Sequence, residues 1–373
     1  MVVLIRCNDI VSDTRAAKYI KYLEETNQEY LVIGWDRDGK SIVPKNGMYF
    51  NRPAGVNVGG FKAARDRVFW MNYVIKCLRK LNNKDIVIHA CDIDSAFPAA
   101  VYKSIFNKNA RIIFDVFDWF SASMNDQGRI ILKAFKFMEK FATKRSDYVI
   151  ICEKERIDQI QFPIASEKLY ILPNIPYFSD NSFLKKEYSF SFDNDKITFT
   201  YVGGFTSTRC LDEIISLAEK GVVNLLIAGY GNVDIERKLN KNQSPNIKYY
   251  GPVKYTDGLN IMHNADIVYA MYSKVIPNHI YAAPNKFYEA LFLGKPLFTT
   301  DGTIVEKKVK ELNTGFTSEE SLSEIEAVIR SIKRDEILVK GRRAGSLWAE
   351  KYQTYTLNFM KNEYQMMLNT KTN

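Results

Sequence analysis

A lysine and a glutamate three residues apart open a short helical pattern in the second half of the chain. The segment "YAAPNKFYEALFLGKPLFTTDGT" predicts a helix, a stop and a strand, and it places Lys286 in the first turn of that helix. A cation there faces the positive end of the helix dipole, which costs about 0.3–1 kcal/mol. A bound phosphate would offset this cost, and Glu289 on nearly the same face would accept hydroxyl protons of a ribose. The competing interpretation is an ordinary ion pair between the two side chains.

A second cation follows a glycine pair at the end of an apolar strand pattern. "ITFTYVGG" ends in Gly203 and Gly204, and Arg209 comes just before the helical pattern "LDEIISLAEK". Glycine allows a ligand to approach the backbone, although such a pair also suits a simple turn. Since helix N-termini offer free N–H groups, Arg209 and Lys286 at two helix starts together predict an anion site.

Further strand ends carry glycine or histidine. Gly229 in "IAGYG" and Gly251 in "YYGPV" would present backbone groups suited to a nucleobase edge. His89 ends a strand in the first half and His279 lies in the loop before Lys286, so both are candidate site residues. His263 lies on an apolar helical pattern and is interpreted as structural.

Near the N-terminus, "NDIVSDTRAA" offers Ser12 or Asp13 as a helix N-cap. Asp13 and Arg15 equally suit contact with a second substrate.

Composition and length bound the class of protein. The chain has 373 residues, which favours two domains, and its 46% hydrophobic and 25% charged residues are typical of a globular protein. No run approaches the ~18 apolar residues of a membrane span, and the N-terminus lacks a signal-peptide pattern. The 5 cysteines are scattered without a C-x-x-C pair, which predicts reduced thiols, a cytoplasmic location, no disulfide framework and no zinc site.

Strand patterns alternate with helical patterns in two consecutive series. "VVLIRC", "YLVIGW", "DIVIHAC", "ARIIFDVF", "DYVIICE" and "KLYILPN" form the first, and "ITFTYVGG", "VNLLIAGYG", "IKYYGPV", "ADIVYAMY" and "KPLFTTDG" the second. Short β-branched runs between helices are typical of buried parallel strands, so the chain is α/β with two doubly wound Rossmann-like domains. We predict a first domain over 1–175, a second over 176–345 and a final helix over 346–373.

The positive charge is concentrated in one region. The net charge is +9, and from Lys62 to Arg145 there are 16 Lys and Arg against 8 Asp and Glu. Residues 62–84 and 129–145 read as amphipathic helices ringed by basic side chains, which is also the pattern of any surface helix. An anionic membrane surface is the expected partner of these segments. Nucleic acid is not, because no binding motif accompanies the charge.

The chain resembles a known family at this level of detail. "YVGG…STRCLDEII", "LLIAGYG", "IKYYGPV", "MHNADIVYA" and "PNKFYEALFLGKPLFTTDG…NTG" are similar in order and spacing to the donor domain of GT-B glycosyltransferases. The retaining family 4 enzymes of bacterial surface-polysaccharide pathways are the most similar. "NDIVSDTRAAKYIKYL", "DIVIHACDIDSAFPAA", "RIIFDVFD" and "EKFATKRSDYVIICEK" resemble the acceptor domain more loosely. The resemblance implies two domains facing across a cleft, with the final helix crossing back to the first.

The resemblance also assigns roles. It gives Arg209 and Lys286 the donor pyrophosphate and Glu289 the ribose, while Asn285 and the loop that contains His279 line the sugar pocket. Gly204 stands where many relatives have a basic residue, Tyr281 where they have a glutamate, and Phe117 where they have a histidine. With Phe117 there, a general base would be a carboxylate, and Asp118 is the candidate; otherwise the donor phosphate assists. Asp13, Arg15 and His89 are the predicted acceptor-side residues.

The implied activity is transfer of a sugar from a nucleotide diphosphate sugar, by default a UDP-sugar, to a glycan or polyprenyl-pyrophosphate-linked acceptor in capsule or O-antigen type pathways. No cofactor or metal is expected, and the location is the cytoplasm or the inner face of its membrane. Two alternatives stay open: a nucleotide-sugar 2-epimerase of the same fold and a catalytically inactive nucleotide-binding subunit. Asp92 and Asp94 in "CDID" imitate the metal-binding D-x-D of GT-A enzymes but also suit a helix start.

Overall fold

The computed structural model describes residues 1–10, 13–54, 61–81, 85–123, 129–160, 162–177, 184, 192 and 195–369. The chain divides into two compact units, Met1–Pro173 with Leu357–Asn373 and Asn174–Thr356. Each unit has its own parallel sheet and its own apolar core.

The first unit contains a seven-stranded sheet in the order β3-β2-β1-β4-β5-β6-β7. Its strands are β1 (Val2–Arg6), β2 (Tyr30–Asp36), β3 (Gly47–Asn51), β4 (Val87–Cys91), β5 (Arg111–Val116), β6 (Tyr148–Ile151) and β7 (Leu169–Ile171). The helices between them are α1 (Thr14–Glu25), α2 (Phe61–Lys80), α3 (Ile93–Ile105) and α4 (Arg129–Arg145). Short 3₁₀ turns cover Phe120–Ser123, Lys154–Gln159 and Ser166–Lys168.

The strand order reverses beside β1 in the first sheet. The chain adds β2 and β3 on one side of β1 and then places β4 on the other, so Arg6 pairs with Cys91 across the reversal. Side chains of β1 and β4 are buried on both faces of the sheet, as expected for central parallel strands. Ligands of doubly wound sheets bind beyond the carboxyl ends of strands at such a reversal.

The second unit contains a six-stranded sheet in the order β10-β9-β8-β11-β12-β13. Its strands are β8 (Thr198–Gly204), β9 (Asn224–Tyr230), β10 (Ile247–Tyr249), β11 (Ile267–Ala270), β12 (Leu297–Thr300) and β13 (Gly315–Ser318). Its helices are α5 (Leu211–Glu219), α6 (Val233–Lys241), α7 (Tyr255–His263), α8 (Pro277–Ile280), α9 (Asn285–Leu293), α10 (Ile304–Leu312), α11 (Leu322–Ser331) and α12 (Arg334–Leu347). The prediction of two Rossmann-like α/β domains is confirmed.

The last residues of the chain pack on the first unit. After α12 come a π-helical turn (Trp348–Tyr352), α13 (Tyr355–Phe359), a second π-helical turn (Met360–Tyr364) and α14 (Gln365–Asn369). Tyr364 is fully buried, and its hydroxyl lies 3.0 Å from Nδ1 of His89. Arg111 donates to the carbonyl oxygens of Met367 and Leu368 at 2.9 and 2.8 Å, which satisfies groups that a helix end leaves unpaired.

Among the described residues, no helix combines the length and the hydropathy that a membrane-spanning segment requires.

Candidate functional site

Lys286 and Glu289 form an ion pair in the first turn of α9. Pro284 is the N-cap residue and Gly294 ends the helix in the left-handed conformation. Lys286 Nζ donates to Glu289 Oε2 at 2.6 Å, and the Tyr255 hydroxyl donates to Oε1 at 3.0 Å. Glu289 is only 1% exposed, whereas the Lys286 side chain is 17% exposed. The lysine therefore retains access to solvent at a helix N-terminus, and each oxygen of the glutamate already accepts a hydrogen bond.

Arg209 precedes α5 and its N-cap residue Cys210. Its guanidinium carbon lies 4.2 Å from the centre of the Tyr272 ring, a cation–π contact. Its Nη1 atom is buried and finds no hydrogen-bond partner in the part of the chain that the structure describes. Because a buried charged donor without an acceptor is costly, this atom points to an anionic ligand.

Tyr272, after β11, lies beside Arg209 and near Glu289, and no sequence pattern predicted it as a site residue. Burial raises the pKa of its hydroxyl most, the Arg209 guanidinium lowers it and the Glu289 carboxylate raises it, so both charges lie near this ring. Its backbone N–H donates to Thr300 Oγ1 at 2.7 Å. His279 packs edge-on against the ring at 5.7 Å between centroids, and its Nδ1 lies 2.8 Å from the Ser273 carbonyl oxygen.

Three of the four predicted glycines fall into two groups. A Cβ on Gly229 would lie 1.8 Å from the Gly203 carbonyl oxygen, so Gly229 allows the ends of β8 and β9 to approach each other. A Cβ on Gly204 or Gly251 would meet nothing within 4 Å, which leaves open space beside both backbones. A ligand has room to approach the backbone at Gly204 and Gly251, whereas Gly229 has a structural reason to be glycine.

The loop before α9 holds the remaining second-unit candidates. Tyr281 ends the short helix α8, and Asn285 is the first residue of α9. Ala283 lies in the loop between α8 and α9, and its carbonyl oxygen accepts a hydrogen bond from the Asn174 side chain at 2.7 Å, which anchors this loop.

In the first unit, Asp13 is an N-cap and Arg15 is an interior residue. Asp13 Oδ1 accepts from the backbone N–H groups of Arg15 and Ala16 at 2.9 and 3.1 Å, which confirms the capping interpretation; Ser12 lies outside the described residues. Arg15 is 5% exposed and donates to Asp115 and, at 2.8 Å, to the Leu172 carbonyl oxygen. The Arg15 side chain therefore links α1 to β5 and to the residue that follows β7.

His89 is also an interior residue. It is fully buried, and its Nε2 lies 3.6 Å from Asp115 Oδ2. The ligand atoms of His89, Cys91 and Asp115 lie within 4.8 Å of one another. Asp115 already accepts from Arg15 and from the Tyr19 hydroxyl, and burial raises the pKa of the Cys91 thiol well above its ordinary value. This donor set fits a hydrogen-bond network with an internal counter-ion better than it fits a metal.

Asp118 and Asp92 are the carboxylates beside Phe117. Asp118 is 59% exposed and accepts from Arg156 Nη2 at 2.9 Å. Asp92 has φ 62° and ψ 171°, a region that residues other than glycine rarely adopt. One of its oxygens accepts from the backbone N–H of Phe117 at 2.9 Å, and the other accepts from Arg6, whose guanidinium covers the Phe117 ring.

The two basic helices expose apolar side chains. Val68 and Phe69 on α2 are 56% and 43% exposed, and Ile130 and Phe137 on α4 are 85% and 64% exposed. Trp70, on the opposite side of α2, is fully buried in the core. Residues 82–84 of the predicted basic segment lie outside the described residues.

Comparison with known proteins identifies the fold. Residues 184–344 match the family described as "Glycosyl transferases group 1". The chain is similar to sucrose-phosphate synthase from Thermosynechococcus elongatus, with a TM-score of 0.69, 14% identity and 99% of each chain covered. It is also similar to WaaG, a glycosyltransferase involved in lipopolysaccharide biosynthesis, with a TM-score of 0.63, 12% identity, and 99% of this chain and 100% of WaaG covered.

A UDP-N-acetylglucosamine 2-epimerase is similar as well, with a TM-score of 0.57, 9% identity, and 97% of this chain and 96% of the epimerase covered. No curated protein sequence matches the chain significantly. The chain has the GT-B fold, and the family match lies within its second unit.

Proposed function

We propose that the chain is a retaining, metal-independent hexosyltransferase that moves a sugar from a UDP-sugar to a hydroxyl of a glycan or lipid-linked acceptor. The observation that carries the proposal is the cationic pair of the second unit. Arg209 has a buried Nη1 without a hydrogen-bond partner among the described residues, and Lys286 stands in the first turn of α9. Both belong to the region that matches the glycosyltransferase group 1 family.

The chemistry of the proposed reaction is stabilisation of a leaving group. Breaking the bond between the sugar and the diphosphate develops negative charge on a diphosphate oxygen. Arg209, Lys286 and the free N–H groups at the start of α9 would donate to that charge. Gly204 leaves the backbone open for the diphosphate to approach.

Binding of the donor would exchange the ion pair of α9 for ligand contacts. Lys286 would turn from Glu289 to a phosphate oxygen, and Glu289 Oε2 would then accept a ribose hydroxyl in its place. The Tyr255 hydroxyl keeps Oε1 oriented throughout. This exchange reconciles the ion pair with the phosphate role, because the ribose hydroxyl would replace the lysine as the donor to the buried glutamate oxygen.

The remaining roles follow the division of the chain. The second unit would bind the donor, with Gly251 at the nucleobase and Asn285 and His279 at the sugar. The first unit would bind the acceptor at the carboxyl ends of its strands. Asp13 would lie beside the acceptor there, and Asp118 would be the carboxylate next to the reacting hydroxyl. The exposed apolar and basic side chains of α2 and α4 would rest on an anionic bilayer, which places a polyprenyl-linked acceptor of a bacterial surface polysaccharide within reach.

The test begins with nucleotides, since no acceptor is needed. Thermal unfolding of the full chain is measured with UDP, GDP, dTDP and CMP, and a ligand at 100 times its Kd adds about 2.7 kcal/mol of stability. Arg209→Ala and Lys286→Ala should each weaken binding of the best nucleotide by about 10–100-fold, as expected for loss of a hydrogen bond to a charged group. Lys307→Ala, which removes a 66% exposed lysine, is the matched control. Full nucleotide binding by both site variants would refute the proposed role of Arg209 and Lys286.

A 2-epimerase is the second candidate, favoured by the similarity to an epimerase structure. It would convert a UDP-sugar with no acceptor present, whereas a transferase would release UDP slowly by hydrolysis. Incubation with UDP-N-acetylglucosamine alone, followed by NMR of the sugar, separates the two. A nucleotide-binding subunit without activity would show neither product.

A further inference from the structure

The proposed function leaves the "CDID" motif between β4 and α3 unexplained. Asp92 occupies the N-cap position of α3 but makes no side-chain capping bond. Asp94, in the first turn, is 8% exposed, and its Oδ1 atom has no hydrogen-bond partner among the described residues. Its Oδ2 atom lies 3.5 Å from Nε of Arg67 on α2. A buried carboxylate oxygen without a donor is costly, so a helix start alone does not account for Asp94.

A buried donor without an acceptor lies in the same region. Arg37, which follows β2, donates from Nη2 to Cys7 Sγ at 3.1 Å, while its buried Nε finds no hydrogen-bond partner in the described part of the chain. Burial raises the pKa of the Cys7 thiol most, the Asp94 carboxylate raises it further, and Arg37 and Arg67 lower it. Arg37 therefore contacts Cys7 directly, and Asp94 and Arg67, which lie 3.5 Å apart, both influence the same thiol.

These four residues, Cys7, Arg37, Arg67 and Asp94, form what we call the β1-edge site. Cys7 follows β1, Arg37 follows β2 and Asp94 follows β4, and these three strands are neighbours in the sheet. The strand order reverses between β1 and β4, which is where doubly wound sheets bind ligands.

The unpaired atoms select the chemistry of the ligand. A hydroxyl group donates one hydrogen bond and accepts another, so it is the kind of group that suits both an unpaired carboxylate oxygen such as Asp94 Oδ1 and an unpaired donor such as Arg37 Nε. A metal cation would satisfy only the carboxylate and would be repelled by two guanidinium groups. An anion would satisfy only the arginine and would be repelled by Asp94.

We propose that the β1-edge site binds a carbohydrate hydroxyl of the acceptor, with the hydroxyl donating to Asp94 Oδ1 and accepting from Arg37 Nε. The identification of the hydroxyl as the acceptor's rests on the proposed function. Asp94 and Arg37 have no proposed role in donor binding, so this proposal gives them a role in recognising the second substrate.

Ligand-observed NMR on the full chain tests the site with defined probes: methyl α-D-glucopyranoside, methyl β-D-galactopyranoside and methyl N-acetyl-β-D-glucosaminide. At least one should bind the wild type, and Asp94→Ala and Arg37→Lys should each weaken that binding about tenfold or more. Arg37→Lys keeps the positive charge but removes the Nε donor. Asp158→Ala, which removes an exposed carboxylate of the same unit, should leave binding unchanged.

The outcomes separate this site from the donor site. Absence of binding by all three glycosides at tens of millimolar, or unchanged binding by both variants, would overturn the proposal. A thermal shift with Mg²⁺ or Mn²⁺ alone that Asp94→Ala abolishes would assign a cation site instead. The UDP-induced thermal shift is measured in parallel: its absence in the wild type would count against the donor site, while glycoside binding would still decide this one. If Asp94→Ala does not fold, Arg37→Lys carries the test.

Discussion

Asp115 keeps its negative charge inside the first unit because two neighbours donate to it. Arg15 Nη2 lies 2.6 Å from Oδ1, and the Tyr19 hydroxyl lies 2.8 Å from Oδ2. Burial by itself raises the pKa of this carboxyl, but the Arg15 guanidinium and His89 together outweigh burial and hold the pKa well below its ordinary value. The carboxylate therefore stabilises the folded state wherever it is ionised there.

Replacing Asp115 by Asn should destabilise the chain by about 3–5 kcal/mol at pH 7, because it leaves Arg15 buried without its counter-ion. A carboxyl with a depressed folded pKa contributes its full stability above the ordinary pKa and loses it as the pH falls through the folded value. The difference between wild type and variant should thus be constant from pH 7 to about pH 5 and shrink below about pH 4. Urea unfolding at a series of pH values measures it.

Glu25→Gln on α1, whose side chain is 45% exposed, is the control and should change stability by less than about 1 kcal/mol. A variant difference that grew as the pH fell would contradict the account of Asp115.

Sequence reasoning succeeded at the residue scale where the signal was local. Lys286 was found because a cation in the first turn of a helix is unfavourable, and the structure places it there. Arg15 and His89 were expected to face a substrate, yet both are buried. His89 contacts Tyr364, which lies 275 residues further along the chain, so no local pattern could indicate its burial. Whether Arg37 Nε and Asp94 Oδ1 find a hydrogen-bond partner also depends on residues far away in the sequence, so no local pattern could predict that they are unpaired.

At the scale of elements, the ends of β8 and β9 approach closely because both carry glycine. Gly229 has φ 143°, and an added Cβ would lie 1.8 Å from the Gly203 carbonyl oxygen. Gly204, the last residue of β8, would accept a Cβ without any contact within 4 Å. The two glycines therefore differ in whether the protein itself requires them.

Gly229→Ala should lower the melting temperature by several degrees, since the chain must move to relieve the clash. Gly204→Ala should leave the melting temperature nearly unchanged but reduce the UDP-induced thermal shift, because the new methyl group would occupy the space proposed for the diphosphate. Differential scanning fluorimetry with and without UDP distinguishes the two effects. Equal loss of stability in both variants would show that the strand ends, not the ligand, require Gly204.

Elements with strong apolar patterns were predicted well, and weaker ones were missed. "VVLIRC" and "YLVIGW" became β1 and β2, but β3, "GMYFN", was not predicted, because a short edge strand carries little buried apolar sequence. The last helix was predicted as one element over 346–373, whereas two π-helical turns, Trp348–Tyr352 and Met360–Tyr364, interrupt the helical residues there.

At the scale of the whole molecule, the first unit is built from both ends of the chain. Residues from Leu357 onward belong to it, and Tyr364 and Met367 are fully buried there. Tyr364 packs on the rings of Tyr19, Tyr22 and His89 at centroid distances of 4.9, 6.0 and 5.5 Å. This terminal segment is part of the core of the first unit.

Truncation after Thr356 should therefore destabilise the first unit, while the second, which is continuous in sequence, keeps its nucleotide site. Hydrogen exchange monitored by mass spectrometry should show loss of protection in β1, β4 and β5 and undiminished protection by UDP around Arg209 and Lys286. Tyr364→Phe, which removes only the hydroxyl that contacts His89, should produce a milder loss confined to the same strands. Unaltered exchange in the truncated chain would mean that the segment is dispensable.

The order of synthesis gives this arrangement a further consequence. A ribosome synthesises the whole second unit, Asn174–Thr356, before it makes the residues that complete the first. Domains that are contiguous in sequence fold as they emerge, so the second unit is free to fold while the nascent first unit still exposes the surface that Tyr364 will cover. We therefore expect the first unit to complete its native packing after the second. Until then it exposes apolar surface, which favours aggregation during translation.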